Sequence, residues 1–291
     1  MKDRGAKRRS GDHMSGTLYF CATPIGNLQD VTLRLLDTLR AVDLIAAEDT
    51  RHTRKLLTHF DIHRPLTSLH EHNEQQKADE IVAKVLAGQS VAVVSDAGMP
   101  GISDPGAKLV QVAAISGVPM TVIPGPSAAL TGLVISGLDT SRFVFLGFPP
   151  RGKAERQDWL RSLESLPFTL IFYEAPHRLR QFLNGLNLLW PERIAAVARE
   201  LTKQYEEVKR GTVGELAAFF QENEPRGEFV VLVSGSTGSS QMDDQQSLDL
   251  TGGVAEVHRL VEQGEEASVA IKSVAKQHGL SRRELYNLYH R

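Results

Sequence analysis

The hydrophobic pattern of the first half of the chain alternates between short apolar runs and longer segments with helical spacing. The short runs, rich in β-branched residues, predict buried strands. The longer segments place Leu33, Leu36 and Leu39, and later Ile81 and Val85, on one side of a helix. This alternation predicts a mostly parallel sheet covered on both faces. The predicted strands are residues 17–22, 43–47, 91–94 and 120–123, and a long helix is predicted at residues 71–86.

The pattern restarts near residue 139 and has more hairpin character from there on. A helix is expected through Trp159, Leu160 and Leu163. We therefore predict two α/β domains, residues 17–138 and residues 139–235. The strands predicted for the second domain are residues 143–148, 169–173, 194–198, 207–213 and 229–233, with a helix at residues 215–220 between the last two.

Three further segments flank these domains. Residues 1–16 are a basic tail that we expect to be disordered, and residues 236–250 form a polar linker. Residues 251–291 predict a small helix-turn-helix-like module. In it Gly279 makes the turn and Ser281 caps the last helix, with Glu284 completing a capping box.

Composition and charge exclude several classes of function. Of 291 residues, 41% are hydrophobic and 23% are charged, which is typical of a soluble globular protein. The formal net charge of -2 requires any nucleic-acid surface to be a local patch. Cys21 is the only cysteine, which excludes an intrachain disulfide and a cysteine-based zinc site. No apolar run suits a membrane span and no signal-peptide core is present, so we expect a cytoplasmic protein.

The most distinctive segment is residues 91–106, in which an apolar strand runs into a loop rich in glycine and proline. Gly98, Gly101 and Gly106 let the backbone approach a ligand closely, and the prolines stiffen the loop. Asp104 and Pro105 are predicted to be the N-cap and the first residue of the next helix. A strand, a stiff loop and a helix are typical of ligand sites at the carboxyl ends of sheets, although an ordinary crossover has the same pattern.

Charged residues follow three predicted strands directly. Acids at Glu48 and Asp49, at Glu174 and at Glu200 are followed by the cations Arg51, Arg178 and Lys203. Side chains just past strand ends face the crevice at the carboxyl edge of a sheet. Each pair is equally consistent with bracing its own loop. The histidines show no spacing suited to a metal, so we expect no metal site.

Residues 147–153 match the start of a phosphate-binding P-loop. Two prolines remove backbone donors that such a loop requires, and Ala154 lacks the hydroxyl that binds magnesium. We therefore reject a nucleotide hydrolase. The basic side chains of Arg151, Lys153 and Arg156 instead suggest a mobile flap for a phosphate backbone.

Taken together, several motifs resemble the ribosomal RNA small subunit methyltransferase I family of the tetrapyrrole methylase superfamily. The resemblance implies a homodimeric enzyme that uses S-adenosylmethionine to methylate the ribose 2′-OH of a cytidine in the decoding region of 16S rRNA. It also implies a two-domain α/β fold with the cofactor in the cleft between the domains. The motifs are residues 23–28 (TPIGNL), 47–51 (AEDTR), 95–106, 124–127 (PGPS), 172–174 (FYE), 177–178 (HR) and 198–203 (ARELTK).

The resemblance also assigns a cofactor-binding set to this chain. The family usually has Thr where this chain has Met99, so a hydroxyl contact is lost while backbone contacts survive. The residues carried over are Pro24, Ile25, Gly98, Met99, Pro100, Gly101, Ile102, Ser103, Ser127, Tyr173, Ala198 and Phe229.

For catalysis we hypothesise that Asp49 or Glu200 is a general base, since a ribose hydroxyl is a weak acid. Arg51 and Lys203 would then place a phosphate or lower the pKa of the hydroxyl. The partner is expected to be 16S rRNA or the small ribosomal subunit, with no DNA and no membrane. The expected RNA contacts are Arg151, Lys153, Arg178, Lys272, Arg282 and Arg283.

Two other functions are weighed against this one. A methylase of the same fold could act on a tetrapyrrole precursor, but the run at residues 48–51 and the C-terminal module argue against it. A helix-turn-helix regulator that senses a ligand is the second alternative, and it lacks a clear dimerisation helix.

Overall fold

The computed structural model describes residues 16–236, 250–278 and 280–290. It forms two compact units, Met1–Ser236 and Thr237–Arg291. Residues 1–15 of the predicted basic tail, nearly all of the predicted linker and the turn residue Gly279 therefore lie outside the described residues. None of the helices in the described ranges is long and apolar enough to cross a bilayer.

The first half of the larger unit is a five-stranded parallel sheet, as the alternating pattern predicts. Its order is β3-β2-β4-β1-β5. The strands are β1 (Leu18–Cys21), β2 (Leu44–Ala47), β3 (Leu66–Ser68), β4 (Val91–Val94) and β5 (Met120–Ile123). The helices that follow its first four strands are α1 (Leu33–Ala41), α2 (Thr50–His59), α3 (Glu74–Leu86) and α4 (Ala107–Ile115).

The helices of this domain cover both faces of the sheet. Leu35 and Leu39 of α1 and Leu57 of α2 belong to a core on one face. Ile81 of α3 and Leu109 of α4 belong to the core on the other face. Strand β3 is absent from the sequence-based prediction because it is three residues long and half-buried at the edge of the sheet.

The second sheet is mixed, which matches the predicted hairpin character. Its order is β6-β7-β10-β8-β9, and within this sheet the β6–β7 pair is parallel while the other described pairs are antiparallel. One face is covered by α6 (Lys153–Ser162), α7 (Pro176–Leu189) and α8 (Val213–Glu222). The strands are β6 (Phe143–Phe145), β7 (Thr169–Glu174), β8 (Ile194–Arg199), β9 (Glu207–Thr212) and β10 (Phe229–Val233).

The opposite face of the second sheet is covered by α5 (Ala128–Ser136). Ala129 and Leu133 of this helix pack with Ile171 and Val230 of the sheet. The predicted boundary after residue 138 therefore assigns α5 to the wrong domain. The prediction fails because α5 follows β5 in the chain, whereas its apolar side is buried against the second sheet.

The smaller unit contains α9 (Leu250–Glu262), α10 (Ala267–His278) and α11 (Arg282–Tyr289). They share a core that includes Val257, Ile271, Val274 and Leu285. Ser281 caps α11 as predicted, because its hydroxyl accepts a hydrogen bond from the N–H of Glu284.

The start of α4 differs from the prediction, and this matters for the glycine-rich loop before it. The helix is preceded by Gly106 and not by Asp104, and its first turn has no cap of its own. Glu74 of α3 supplies the cap instead. One carboxylate oxygen of Glu74 accepts hydrogen bonds from the N–H groups of Gly106 and Lys108 at 2.8 and 2.9 Å.

We therefore predict that Glu74→Ala lowers the free energy of unfolding by about 1–3 kcal/mol, because two helix-end N–H groups lose a charged acceptor. Glu74→Gln keeps an acceptor oxygen at the same place and should lose clearly less. Denaturant unfolding of both variants measures the difference, and equal losses would contradict the capping role.

Candidate functional site

The loops that follow β1 and β4 meet at the carboxyl edge of the first sheet. Thr23 and Gly98 form an isolated antiparallel bridge, in which each N–H donates to the carbonyl of the other at 2.9 and 3.1 Å. The Thr23 hydroxyl also donates to the carbonyl of Ser95. Because adjacent parallel strands end at the same edge, these loops are brought together by the fold itself.

Gly98 shows why this loop requires glycine. Its φ of +78° lies in the left-handed region that residues other than glycine rarely adopt, and Ile25 lies beside it at ordinary contact distance. Ser103, with a φ of +61°, adopts a similar conformation in the same loop. The backbone here is therefore held in an uncommon path next to Ile25.

A cavity of about 350 Å³ opens between this loop and the second sheet, and we call it the inner cavity. Its volume lies in the usual range for small-molecule sites, about 300–1,000 Å³. Its lining comes from the glycine-rich loop, the start of α5 and the ends of β7 and β10. The lining includes Ile25, Ala97, Gly98, Met99, Ile102, Ser103, Asp104, Ser127, Phe148, Tyr173, Glu174, Leu201, Glu228 and Phe229.

Most of the predicted cofactor residues lie together in this cavity. Ser127 caps α5, and the Tyr173 hydroxyl accepts a hydrogen bond from Ala129 N–H at 3.1 Å, so both order its wall. Those that line it are Ile25, Gly98, Met99, Ile102, Ser103, Ser127, Tyr173 and Phe229. Pro24 lines the neighbouring pocket, whereas Pro100, Gly101 and Ala198 are not among the lining residues of either space.

Asp104 is the most informative residue that sequence reasoning assigned to another role. It is half-buried in the inner cavity. Burial, together with the negative charges of Glu48 and Asp96, raises the pKa of Asp104 from 3.8 to about 7. A carboxylate inside a glycine-rich loop was the available signal, and it was interpreted as a helix cap.

Glu174 brings a second acid to the cavity wall. Its side chain is fully buried, and one oxygen pairs with Arg178 at 3.2 Å and accepts a hydrogen bond from Ala175 N–H at 2.9 Å. The other oxygen, Oε2, is buried and has no hydrogen-bond partner. A buried acceptor without a partner is costly, and burial raises the pKa of Glu174, which favours its neutral form.

Two further spaces continue outward from the inner cavity, one beside the other. A polar pocket of about 620 Å³ shares Ile25, Ala97 and Glu228 with it. A basic groove of about 560 Å³ on α2 shares Lys55 and His59 with the polar pocket. The polar pocket is lined by residues 23–26, Leu28, His52, Thr53, Lys55, Leu56, His59, residues 95–97, Lys203 and Glu228. The basic groove is lined by Arg51, Arg54, Lys55, Thr58 and His59.

The predicted catalytic pair Asp49 and Arg51 lies at the start of α2. Asp49 caps the helix by accepting from Arg51 N–H at 2.8 Å, and both its oxygens bind the guanidinium. These bonds lower the pKa of Asp49 below its ordinary value. The geometry therefore matches a brace for Arg51, and a carboxylate with a lowered pKa is a weak proton acceptor.

Glu200 and Lys203 form a second brace. Glu200 Oε1 accepts from Lys203 Nζ at 3.0 Å and from Glu228 N–H at 2.9 Å, while Lys203 also pairs with the Glu228 carboxylate at 2.8 Å. Although burial raises the pKa of Glu200, these partners lower it overall. Gly227, with a φ of +89°, leaves room for this carboxylate, since an added Cβ would lie 2.5 Å from it.

The predicted RNA-binding residues of the larger unit differ in solvent exposure and in their contacts with the rest of the protein. Arg151 and Lys153 are exposed at the start of α6. Arg156 is buried and donates to the carbonyls of Pro150 and Arg151, so it braces the loop and cannot belong to a mobile flap. Arg178 is largely buried and is engaged by Glu174 and by the carbonyl of Pro149.

In the smaller unit, the candidate RNA contacts Lys272, Arg282 and Arg283 are exposed. They extend from α10 and from the first turn of α11. No group of three or more His, Cys, Asp or Glu side chains within the described ranges is arranged to hold a metal ion.

The two-sheet fold and the cavity at the strand ends define a protein of the tetrapyrrole methylase class. The model of the tetrapyrrole (corrin/porphyrin) methylases matches residues 17–217. The chain belongs to this family and, within it, to the ribosomal RNA small subunit methyltransferase I family. Relatives with that name are 45% identical in Halalkalibacterium halodurans, over 94% of this chain and 95% of the relative, and 47% identical in Synechocystis, over 94% and 97%.

Solved structures show the same fold at low sequence identity. A diphthine synthase is 14% identical with a TM-score of 0.60, and the match covers 76% of this chain and 90% of that protein. A uroporphyrin-III C-methyltransferase from Thermus thermophilus, solved with S-adenosylhomocysteine, is 18% identical with a TM-score of 0.54. That match covers 75% of this chain and 97% of that protein.

The raised pKa of Asp104 leads to a prediction about stability. Its carboxylate ionises less readily in the folded state than in the unfolded chain, so folding becomes less favourable as pH rises from about 4 to 7. Asp104→Asn removes this cost, and its gain in melting temperature should grow across that range and level off above it. Asp79→Asn makes the same change at an exposed site of α3, and a similar pH-dependent gain there would contradict the assignment.

Proposed function

We propose that this protein transfers a methyl group from S-adenosylmethionine to the ribose 2′-OH of a cytidine in the decoding region of 16S rRNA. The observation that carries the proposal is the inner cavity, which opens beside a larger polar pocket at the edge of the first sheet. One space suits a small cofactor and the other suits a nucleotide. The names of the relatives support rRNA as the substrate.

The inner cavity fits S-adenosylmethionine by chemistry as well as by size. The cofactor supplies a methyl group activated by a positively charged sulfur. The half-buried Asp104 lines the cavity, and the negative charges of Glu48 and Asp96 act on it. Acids in a partly buried site favour a cation, and the glycine-rich backbone permits close approach.

The residues around the cavity act mainly by orientation in this proposal. Holding the ribose oxygen in line with the methyl group can supply roughly 7–11 kcal/mol of rate enhancement. Asp49 keeps Arg51 in place, and Glu200 keeps Lys203 at the polar pocket. We therefore propose that the two acids are positioning residues and that the cations they hold contact the RNA.

This assignment predicts modest effects for the two acids. Removing a general base costs about two to four powers of ten in rate. Asp49→Asn and Glu200→Gln should each lower the single-turnover rate by less than that and should leave the shape of its pH profile unchanged. A loss of that size together with a flattened profile would instead identify the altered residue as the base.

The decisive experiment for the function uses labelled S-adenosylmethionine with the full-length protein. Purified small ribosomal subunits, naked 16S rRNA and a tetrapyrrole precursor are offered separately as acceptors. We expect label in rRNA, at a cytidine that reverse-transcription stops map as 2′-O-methylated. Label in the tetrapyrrole alone would establish the alternative methylase function, and no transfer with tight binding to duplex DNA would support a regulator.

We further propose that the active form is a cytoplasmic homodimer. Apolar side chains on α5 and the edge strand β5 support this, because Leu130, Val134 and Val122 are 50%, 75% and 49% exposed. Val134→Lys should shift sedimentation from dimer to monomer, whereas Leu188→Lys on α7, 69% exposed, should not. A wild-type monomer at micromolar concentration would contradict the dimer.

A further inference from the structure

The outward face of α2 carries a concentration of positive charge of which only Arg51 has so far been given a role in RNA binding. Arg51, Arg54, Lys55, Thr58 and His59 line the basic groove. Their spacing of three, four, seven and eight residues from Arg51 places them on one side of the helix. Thr50–His59 contains no acidic residue, and the whole chain has a net charge of -2, so this is a local departure.

The charges of this face are largely uncompensated. Arg54 and Lys55 are exposed, and neither forms an ion pair with any residue that the structure describes. Some basic side chains on other helices are instead paired with an acid one turn away, as in the Lys77–Glu80 and Arg161–Asp158 pairs. Cations without an acidic partner on a helix favour binding to a polyanion, because no existing ion pair has to be broken first.

The basic groove also continues toward the reaction centre. Lys55 and His59 line both the groove and the polar pocket, to which His52 contributes from the same helix. The polar pocket in turn shares Ile25, Ala97 and Glu228 with the inner cavity. From the surface inward, the basic groove is therefore followed by the polar pocket and then by the inner cavity, which suits a methyl donor.

We propose that the basic groove on α2 binds phosphates of the RNA strand next to the target nucleotide, and that the polar pocket receives that nucleotide after it leaves its stack. This inference rests on the proposed function. RNA is read best where nucleotides are splayed out, and phosphate contacts set the position of the strand without reading its sequence. Arg54 and Lys55 are the principal phosphate contacts, with Arg51 held ready by Asp49.

The test compares two double variants of the full-length protein with equal loss of charge. Arg54→Gln with Lys55→Gln removes two groove cations. Lys84→Gln with Lys108→Gln is the matched control, since these exposed lysines lie on α3 and α4 at the opposite face of the first sheet. The dissociation constant for a 16S rRNA decoding-region fragment is measured from 0.1 to 1 M salt for each.

We expect the groove variant to lower the slope of log affinity against log salt by about 1.4, since each contact to single-stranded nucleic acid contributes about 0.7. If the affinities converge at 1 M salt, the loss at 0.1 M is about 25-fold. The affinity for S-adenosylmethionine and the melting temperature should not change, because neither residue lines the inner cavity. The control should keep the wild-type slope.

A separate variant tests the pocket. His52→Ala alters the polar pocket and lies outside the residues that line the groove. It should lower the single-turnover methylation rate at saturating RNA by tenfold or more, with the salt slope unchanged. A wild-type rate for His52→Ala overturns the pocket assignment.

Equal slopes for the groove variant and the control overturn the groove assignment while leaving the proposed function intact. If the wild-type protein itself transfers no methyl group to rRNA, the proposed function fails, and the inference that rests on it fails with it.

Discussion

The site depends on hydrogen bonds that join the loops after three parallel strands. Thr23 and Gly98 exchange backbone bonds between the loops after β1 and β4. Asp96, after β4, accepts from the N–H of Asp49, and Glu48 accepts from the N–H of Asp96, which ties in the loop after β2. Close approach of the loops removes water from these polar groups, and the bonds between the loops replace the hydrogen bonds that the water would have made. They therefore hold the wall of the inner cavity in place before any ligand binds.

The second sheet completes the cavity because one side chain of the first loop enters its core. Ile25 is 7% exposed and packs in the cluster that includes Val230 and Leu201. Helix α5 packs on the same face of the sheet, with its first turn held by Tyr173. The two sheets thus meet at Ile25 and at α5, and a change in either contact would move the cavity wall.

Sequence reasoning predicted what periodicity and motifs control, and it failed where tertiary contacts decide. Strand β4 and strand β10 lie at their predicted residues, because continuous apolar runs are local signals. The roles of Asp104, Glu74 and Arg156 could not be predicted, since each depends on partners far away in the chain or on burial. The position of helix α5 could not be predicted for the same reason. The sequence of an apolar helix between two domains does not indicate which sheet will bury it.

The distribution of charge is consistent with the proposal that one acidic protein binds a cationic cofactor and a polyanionic RNA at adjacent sites. Asp104 and Glu174 lie at the inner cavity, with Glu48 and Asp96 near Asp104, while the cations of α2 lie on the outer groove. At physiological salt the Debye length is about 8 Å, so charges at the surface act only over short distances. The electrostatic energy of a phosphate at the groove therefore depends mainly on Arg54 and Lys55 and only weakly on the net charge of -2. In the proposed complex, ionised Asp104 with Glu48 and Asp96 near it would favour a sulfonium and repel RNA phosphates. The strand would then stay at the groove while the neutral ribose approached the methyl group.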